Sequence, residues 1–229
     1  MSSAVVVAVD GTSGSGKSST SRGLAARLGL RYLDTGAMYR AVTWWMLQHG
    51  VDVHDPAAVA THAVDPVVVA GTDPLAPSIT LDGVDVSAEI RTDAVNAAVS
   101  PVSAVPEVRA QLVRIQRAAI EATLGAAGIV VEGRDIGSVV WPQAELKLYL
   151  TADPAARAAR RAAESGARDV DATRASLEAR DAIDSTRTAS PLVQADGAVH
   201  LDTTPYTLDE VVDRAAELVE AARRVRADA

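Results

Sequence analysis

The chain of 229 residues reads as an α/β protein built on a parallel sheet, and three observations predict it. Five short apolar runs, over residues 4–9, 30–33, 129–132, 146–150 and 199–201, have the composition of buried strands. Segments of helical periodicity, over 17–28, 37–48, 107–124, 154–165, 172–183 and 208–225, separate most of them. The first run also ends at Asp10 in a Gly-rich turn that opens directly into a helix, an arrangement that aims backbone N–H groups at an anion.

Along the chain, Ala4-Val5-Val6-Val7-Ala8-Val9 is apolar without alternation, as expected of a central strand covered on both faces. The rhythm breaks between residues 62 and 86. There the turns Gly71-Thr72-Asp73-Pro74 and Asp82-Gly83 separate short β-prone pieces, Val67-Val68-Val69 and Ser78-Ile79-Thr80-Leu81. Because Asp-Gly favours a two-residue hairpin turn, residues 63–90 are expected to form a small antiparallel insertion standing off the main sheet. The last helix opens with Thr207 and Glu210 in capping-box spacing. The Ala-rich segments carry their charges at helical spacing and read as solvated helix faces.

Composition narrows the function. Hydrophobic residues at 48% and charged ones at 23% are the balance of a folded domain. A net charge of −8 excludes a broad electrostatic footprint for nucleic acid, so anions must be bound by local clusters. The absence of cysteine removes disulfides, thiolate metal sites and thiol nucleophiles, and fits a reducing cytoplasm. No apolar run approaches the roughly 20 residues of a membrane span, so a soluble protein without a membrane partner is expected. The four histidines lack metal-ligand spacing, and the adjacent Trp44 and Trp45 on a predicted helix read as packing.

Gly11-Thr12-Ser13-Gly14-Ser15-Gly16-Lys17-Ser18 satisfies the phosphate-loop pattern in full, with the strand before it and the helix after it that the motif requires. Its amides can wrap a phosphate, Lys17 can reach the β- and γ-phosphates of a nucleoside triphosphate, and the Ser18 hydroxyl can join the shell of Mg²⁺. The loop does not specify the reaction. Three further clusters bear on it. In Asp34-Thr35-Gly36-Ala37-Met38-Tyr39-Arg40, at a strand carboxyl end, Arg40 either holds an acceptor phosphate or is a surface arginine one turn into a helix. In Glu132-Gly133-Arg134-Asp135-Ile136-Gly137, Arg134 can donate to phosphate and Asp135 can accept from a base amine, or the two pair in a turn. Late in the chain, Arg157, Arg160 and Arg161 share one helix side, and Arg180, Asp184 and Arg187 follow at i, i+4, i+7; each set either faces a ligand or makes ion pairs with neighbours such as Glu178 and Asp181.

Together with Val86-Ser87-Ala88-Glu89-Ile90-Arg91, these segments in this order resemble the bacterial cytidylate kinase family nearly end to end. The resemblance implies a three-layer P-loop kinase fold with a central five-stranded parallel sheet. It implies a core over about 1–35, 105–150 and 188–229, an acceptor-binding region over about 36–104 and a helical lid over about 153–187. It implies ATP as donor with Mg²⁺, CMP and dCMP as acceptors, and a working monomer. It assigns Arg40, Arg134 and Arg187 to the acceptor phosphate, alongside Lys17 in catalysis. Ser100, Arg109 and Asp135 become cytosine readers, with Ser103 the substitute for Ser100 under a small shift of alignment. Thr35 and Tyr39 line the same pocket, Arg180 and Asp184 lie near the acceptor ribose, and ATP is held by residues 11–19, including Ser19, with Arg157 and Arg161 from the lid. A kinase for another small acceptor such as UMP, or a nucleotide-binding module without turnover, remain the alternatives from the residues alone.

Overall fold

The computed structural model describes residues 4–166 and 169–227, and each apolar run picked out above becomes a strand in it. The predicted lid span is therefore described apart from residues 167 and 168. In chain order the elements are β1 (Val5–Gly11), α1 (Lys17–Leu28), β2 (Arg31–Asp34), α2 (Thr35–Gln48), α3 (Pro56–Thr61), β3 (Val68–Ala70), β4 (Ile79–Leu81) and β5 (Val84–Asp85). After a 3-10 turn at Glu89–Arg91 come α4 (Asp93–Ala104), α5 (Pro106–Glu121), β6 (Gly128–Glu132), a π-type turn at Ile136–Val140, β7 (Leu146–Thr151), α6 (Pro154–Ser165), α7 (Val170–Thr186), β8 (Val199–Asp202) and α8 (Leu208–Ala227).

β1 sits at the centre of a five-stranded sheet of order β2-β6-β1-β7-β8, every neighbouring pair parallel. All seven β1 residues are buried. Successive side chains alternate between two cores, as a strand requires: Val6 and Ala8 join the core formed with α2, α4 and α5, whereas Val5, Val7 and Val9 join the one formed with α1 and α8. The sheet is thus covered by helices on both faces. Because the chain leaves β1 toward β2 on one side and later reaches β7 on the other, the switch point lies at the carboxyl end of β1, where open α/β sheets bind ligands.

The insertion forms as a separate antiparallel sheet of order β3-β4-β5. Leu81 pairs with Val84 across a two-residue turn, and Asp82 and Gly83 both adopt positive φ, 51° and 83°, the geometry that a right-twisted hairpin favours. The sheet is held to the body of the protein: Val68, Ile79 and Leu81 bury against the α2 core, and Thr72 O accepts the N–H of Tyr32 from edge strand β2 at 3.0 Å.

Two helices were not anticipated. α3 is a short turn started by Pro56 and capped by Asp55. In α4, Val95, Ala98, Val99 and Val102 are all buried, at i, i+3, i+4 and i+7; that apolar stripe outweighs the cost of Pro101 inside the helix. α4 thereby carries Ser100 and Ser103 on a helix, in a stretch to which the sequence reading assigns no element.

Leu148 is 1% exposed beside β1 in the α1–α8 core. Leu148→Ala is expected to lower unfolding stability by about 2–5 kcal/mol, read from the urea midpoint; a loss below about 1 kcal/mol would contradict this packing.

Candidate active site

The phosphate loop is built by backbone geometry. Gly11 has φ 145°, and a Cβ there would lie 2.0 Å from Leu150 O on β7, so only glycine lets β1 pass its neighbour as the loop begins. Gly16 takes a left-handed conformation immediately before α1. Ser15 Oγ donates back to Thr12 O at 2.9 Å, closing the loop. Lys17 folds its ammonium onto the same carbonyl at 2.6 Å.

Behind the loop, Asp10 accepts from the backbone N–H groups of Ile136 and Gly137, each at 2.8 Å. This carboxylate ties the end of β1 to the turn after β6 and so places Arg134 and Asp135 beside the loop. Asp10 was read only as the end of a strand; the 126-residue separation of its partners leaves no local signal. Burial is the main cause that raises its pKa to about 6, against the lowering effect of those two amides.

A cleft of about 370 Å³ opens between the loop, the start of α2, the insertion and the α6–α7 hairpin. Its walls include Lys17, Arg22, Arg40, Arg91, Arg134, Arg160, Arg161 and Arg180, with Ser18 and Ser19 from the loop and Asp34 and Glu132 from strand ends. Arg40 is fixed by Ile90 O at 3.0 Å and Asn96 Oδ1 at 2.7 Å. Burial, then the charges of Arg180, Arg91 and Arg161, pulls its pKa down to about 9, and Arg180 falls to about 10 by burial and then Arg134. Both remain charged at neutral pH, and an entering polyanion relieves their mutual repulsion.

Deeper in lies a second cluster. Asp135 bridges two arginines, pairing directly with Arg109 and at 3.9 Å with Arg187 Nη2. Arg109 also donates to Ser103 O at 3.1 Å and lies 5.4 Å over the Tyr39 ring. Arg187 is held by Ser190 O at 2.7 Å and Asp184 at 3.5 Å, and burial lowers its pKa. Tyr39, buried near Gln116, has its pKa pushed up to about 12 by burial.

The predicted residues are thus divided. Residues 13–19 other than Ser15, together with Arg40, Arg134, Arg161 and Arg180, face the cleft or form its floor. Tyr39, Arg109, Asp135, Asp184 and Arg187 form the buried network beside it. Ser103 contacts Arg109, while the Ser100 carbonyl accepts from Ser103 Oγ at 3.0 Å. Thr35 is committed to Glu132 O at 2.7 Å. Arg157, read as an ATP ligand, is correctly on α6, but its guanidinium is drawn under the loop to Ser13 O and Asp181 and does not line the cleft. Arg160 lines it instead, held by Thr203 Oγ1 and O at 2.9 and 2.8 Å. Arg22, Arg91, Asn96 and the fully buried Gln116, close enough to Tyr39 to affect its titration, were missed. Of these, Gln116 left a trace at i+7 from Arg109 on α5, and Arg91 stood in the segment 86–91 that carries the resemblance, though with no role assigned to it.

A complete phosphate loop at the switch point of a parallel sheet, opening on a cleft walled by arginines, defines a phosphate-loop kinase. A family model described as cytidylate kinase matches residues 7–221. Relatives include a cytidylate kinase of Streptomyces griseus, 58% identical over 96% of this chain and 95% of that one. Those of Streptomyces avermitilis and Nocardia farcinica are 56% and 54% identical over 97% and 94% of this chain, and over 96% and 93% of their own lengths. The chain belongs to the cytidylate kinase family.

The donor end carries a pH signature. Burial and then the charge of Arg134 lower Lys17 to about 7, and burial and then Asp34 raise Glu132, which accepts from Tyr32 Oη at 2.6 Å, to about 7. For Lys17 the folded pKa lies below the unfolded one, so its contribution to stability falls as pH drops from 10.5 toward 7. For Glu132 it lies above, and the contribution falls as pH rises from 4.5 through 7. A bound polyphosphate restores the Lys17 charge. Near pH ~8, ATP binding is therefore expected to take up protons, seen as a calorimetric enthalpy that varies with buffer ionisation heat. Lys17→Met should shrink that variation, and a buffer-independent enthalpy in the parent contradicts the assignment.

Proposed function

We infer that the chain transfers the terminal phosphate of ATP to CMP and dCMP, giving ADP and CDP or dCDP. The observation that carries this reading is the juxtaposition, in a chain of this family, of a complete donor loop with Arg40 and Arg134 in one cleft, next to the Asp135–Arg109 pair. Transfer is direct and in line, without a phosphoenzyme. The acceptor phosphate is already an anion, so no general base is needed, and catalysis consists of positioning and charge neutralisation.

The loop over residues 11–19, with Lys17, binds the ATP phosphates, and Arg160 and Arg161 contribute from α6. Ser18 and Glu132 both line the cleft, and no group of three acidic or histidine ligands occurs among the described residues. That donor set fits an Mg²⁺ ion that Ser18 would help hold, the rest of its shell coming from phosphates and water, and that would supply neutralisation of phosphate charge. Arg40, Arg134 and Arg187 clamp the acceptor phosphate, and Arg180 and Asp184 hold the ribose. In this reading α6–α7 is the lid and residues 36–104 the acceptor-binding region.

Cytosine presents an amine that donates beside a ring nitrogen and a carbonyl that accept. Asp135 takes the amine, while Arg109, with Ser103 or Ser100, serves the acceptors. Uracil would set a carbonyl against Asp135, and a site that leaves buried polar groups unpaired discriminates strongly. We place the activity in the cytoplasm, where ATP and nucleoside monophosphates meet, with one chain as the working unit, since a single chain supplies the whole cleft.

An acceptor panel in a coupled ADP-release assay tests this: CMP and dCMP should exceed UMP and AMP by about tenfold or more in kcat/KM, and UMP or AMP matching or exceeding both overturns it. Asp135→Ala should cut kcat/KM for CMP by about 100-fold, or ~2.7 kcal/mol, with KM for ATP within about threefold. Equal losses for both substrates would remove Asp135 from the base pocket.

A further inference from the structure

Ser13, at the crest of the phosphate loop, has every polar atom committed. Its N–H donates to Asp181 Oδ1 at 2.8 Å, its carbonyl accepts from Arg157 Nη1 at 2.9 Å, and its hydroxyl accepts from Arg134 Nη2 at 2.8 Å. The other Asp181 oxygen takes the same Arg157 nitrogen, so amide, carboxylate and guanidinium close a ring around one residue that is 3% exposed. One turn further along α7, Asp184 accepts from Arg134 Nε at 3.0 Å. The next residue carries the same contact: a Cβ on Gly14 would lie 3.2 Å from Arg157 Cβ and 3.3 Å from Leu177 Cδ1. Helices α6 and α7 therefore rest directly on the loop.

We propose that Asp181 and Arg157 are positioning residues, a pair that fastens the α6–α7 hairpin to Ser13 and so fixes where Arg134 stands relative to the donor phosphates. Arg134 hangs between Ser13 and Asp184, one anchor on the loop and one on α7. If α7 drifts from the loop, those anchors separate and Arg134 can no longer satisfy both. Removing Asp181 leaves the Ser13 N–H without an acceptor and the Arg157 guanidinium, whose side chain is 8% exposed, without a counter-charge. A buried cation so stripped forces the hairpin to move. Phosphoryl transfer is sensitive to such movement, a misplacement of about 1 Å costing about 100-fold in rate. Arg157 acts through Ser13 in this scheme and does not itself touch ATP.

The inference rests on the reading of the cleft as an ATP:CMP site, and the parent enzyme is the control for that reading. Asp181→Ala and Arg157→Met are each expected to lower kcat by about tenfold or more while KM for ATP and for CMP stays within about threefold, the split of a misaligned transfer step. Because the pair works as one unit, the double variant should be within about twofold of the worse single one. Rates are normalised to the folded fraction from near-ultraviolet circular dichroism, and the loss should survive that correction. Asp181→Asn retains an oxygen for the Ser13 N–H but turns its amide toward Arg157, and should recover only part of kcat. A kcat within about twofold of the parent for Asp181→Ala, losses that multiply in the double variant, or a deficit that vanishes on normalisation would each overturn the proposal. A parent that releases no ADP on addition of CMP would instead overturn the reading of the cleft.

Discussion

Several arginines buried beside the cleft need anions of the protein's own close by, and much of this architecture follows from that requirement. A guanidinium stripped of water needs an anion close by, because its desolvation is costly and the interior screens poorly. The chain supplies carboxylates of its own: Asp135 for Arg109, Asp184 for Arg134, Asp181 for Arg157. Two of those acids lie one turn apart on α7, so the same pairs that neutralise the site also dock the α6–α7 hairpin against the body of the protein. The acidic net charge of −8 and the cationic cleft are in this sense compatible: acids surround the arginines from outside, and the cleft keeps its field.

The central strand serves the same end. β1 delivers the loop at the switch point of the sheet, and Asp10 binds the turn after β6 through two backbone amides. One buried carboxylate thereby sets the spacing between the phosphate loop and Arg134. Thr203 makes a matching joint on the other side, accepting from Arg160 and donating to Ser15 O at 3.0 Å. The loop is held at Ser13, at Ser15 and behind Asp10 by residues distant in sequence, which fixes its shape, the preorganisation that phosphoryl transfer rewards.

Much of the fold was legible because strands buried on both faces write themselves locally. The five apolar runs, the Asp82-Gly83 turn and the glycine spacing of the loop each encode their own conformation. α4 was hidden by Pro101, although Val95, Ala98, Val99 and Val102 carried the helical stripe. The lining of the cleft was legible where a motif names the residue, as for Lys17, Arg40 and Arg134. It was illegible where the role comes from a partner far along the chain. Arg157 looked like a cation for ATP because its helix was read correctly, yet the direction of its side chain is decided by Asp181 and Ser13, 24 and 144 residues away. Ser103 outranks Ser100 beside Arg109 because a helix, not a loop, presents them.

The central claim is that one continuous cleft holds donor and acceptor phosphates together. Titration calorimetry with a bisubstrate analogue, adenosine and cytidine joined through five phosphates, tests it most directly. The account predicts one analogue per chain, displaced by ATP and by CMP alike. Binding that CMP cannot displace, or simultaneous occupancy by the analogue and CMP, would contradict it.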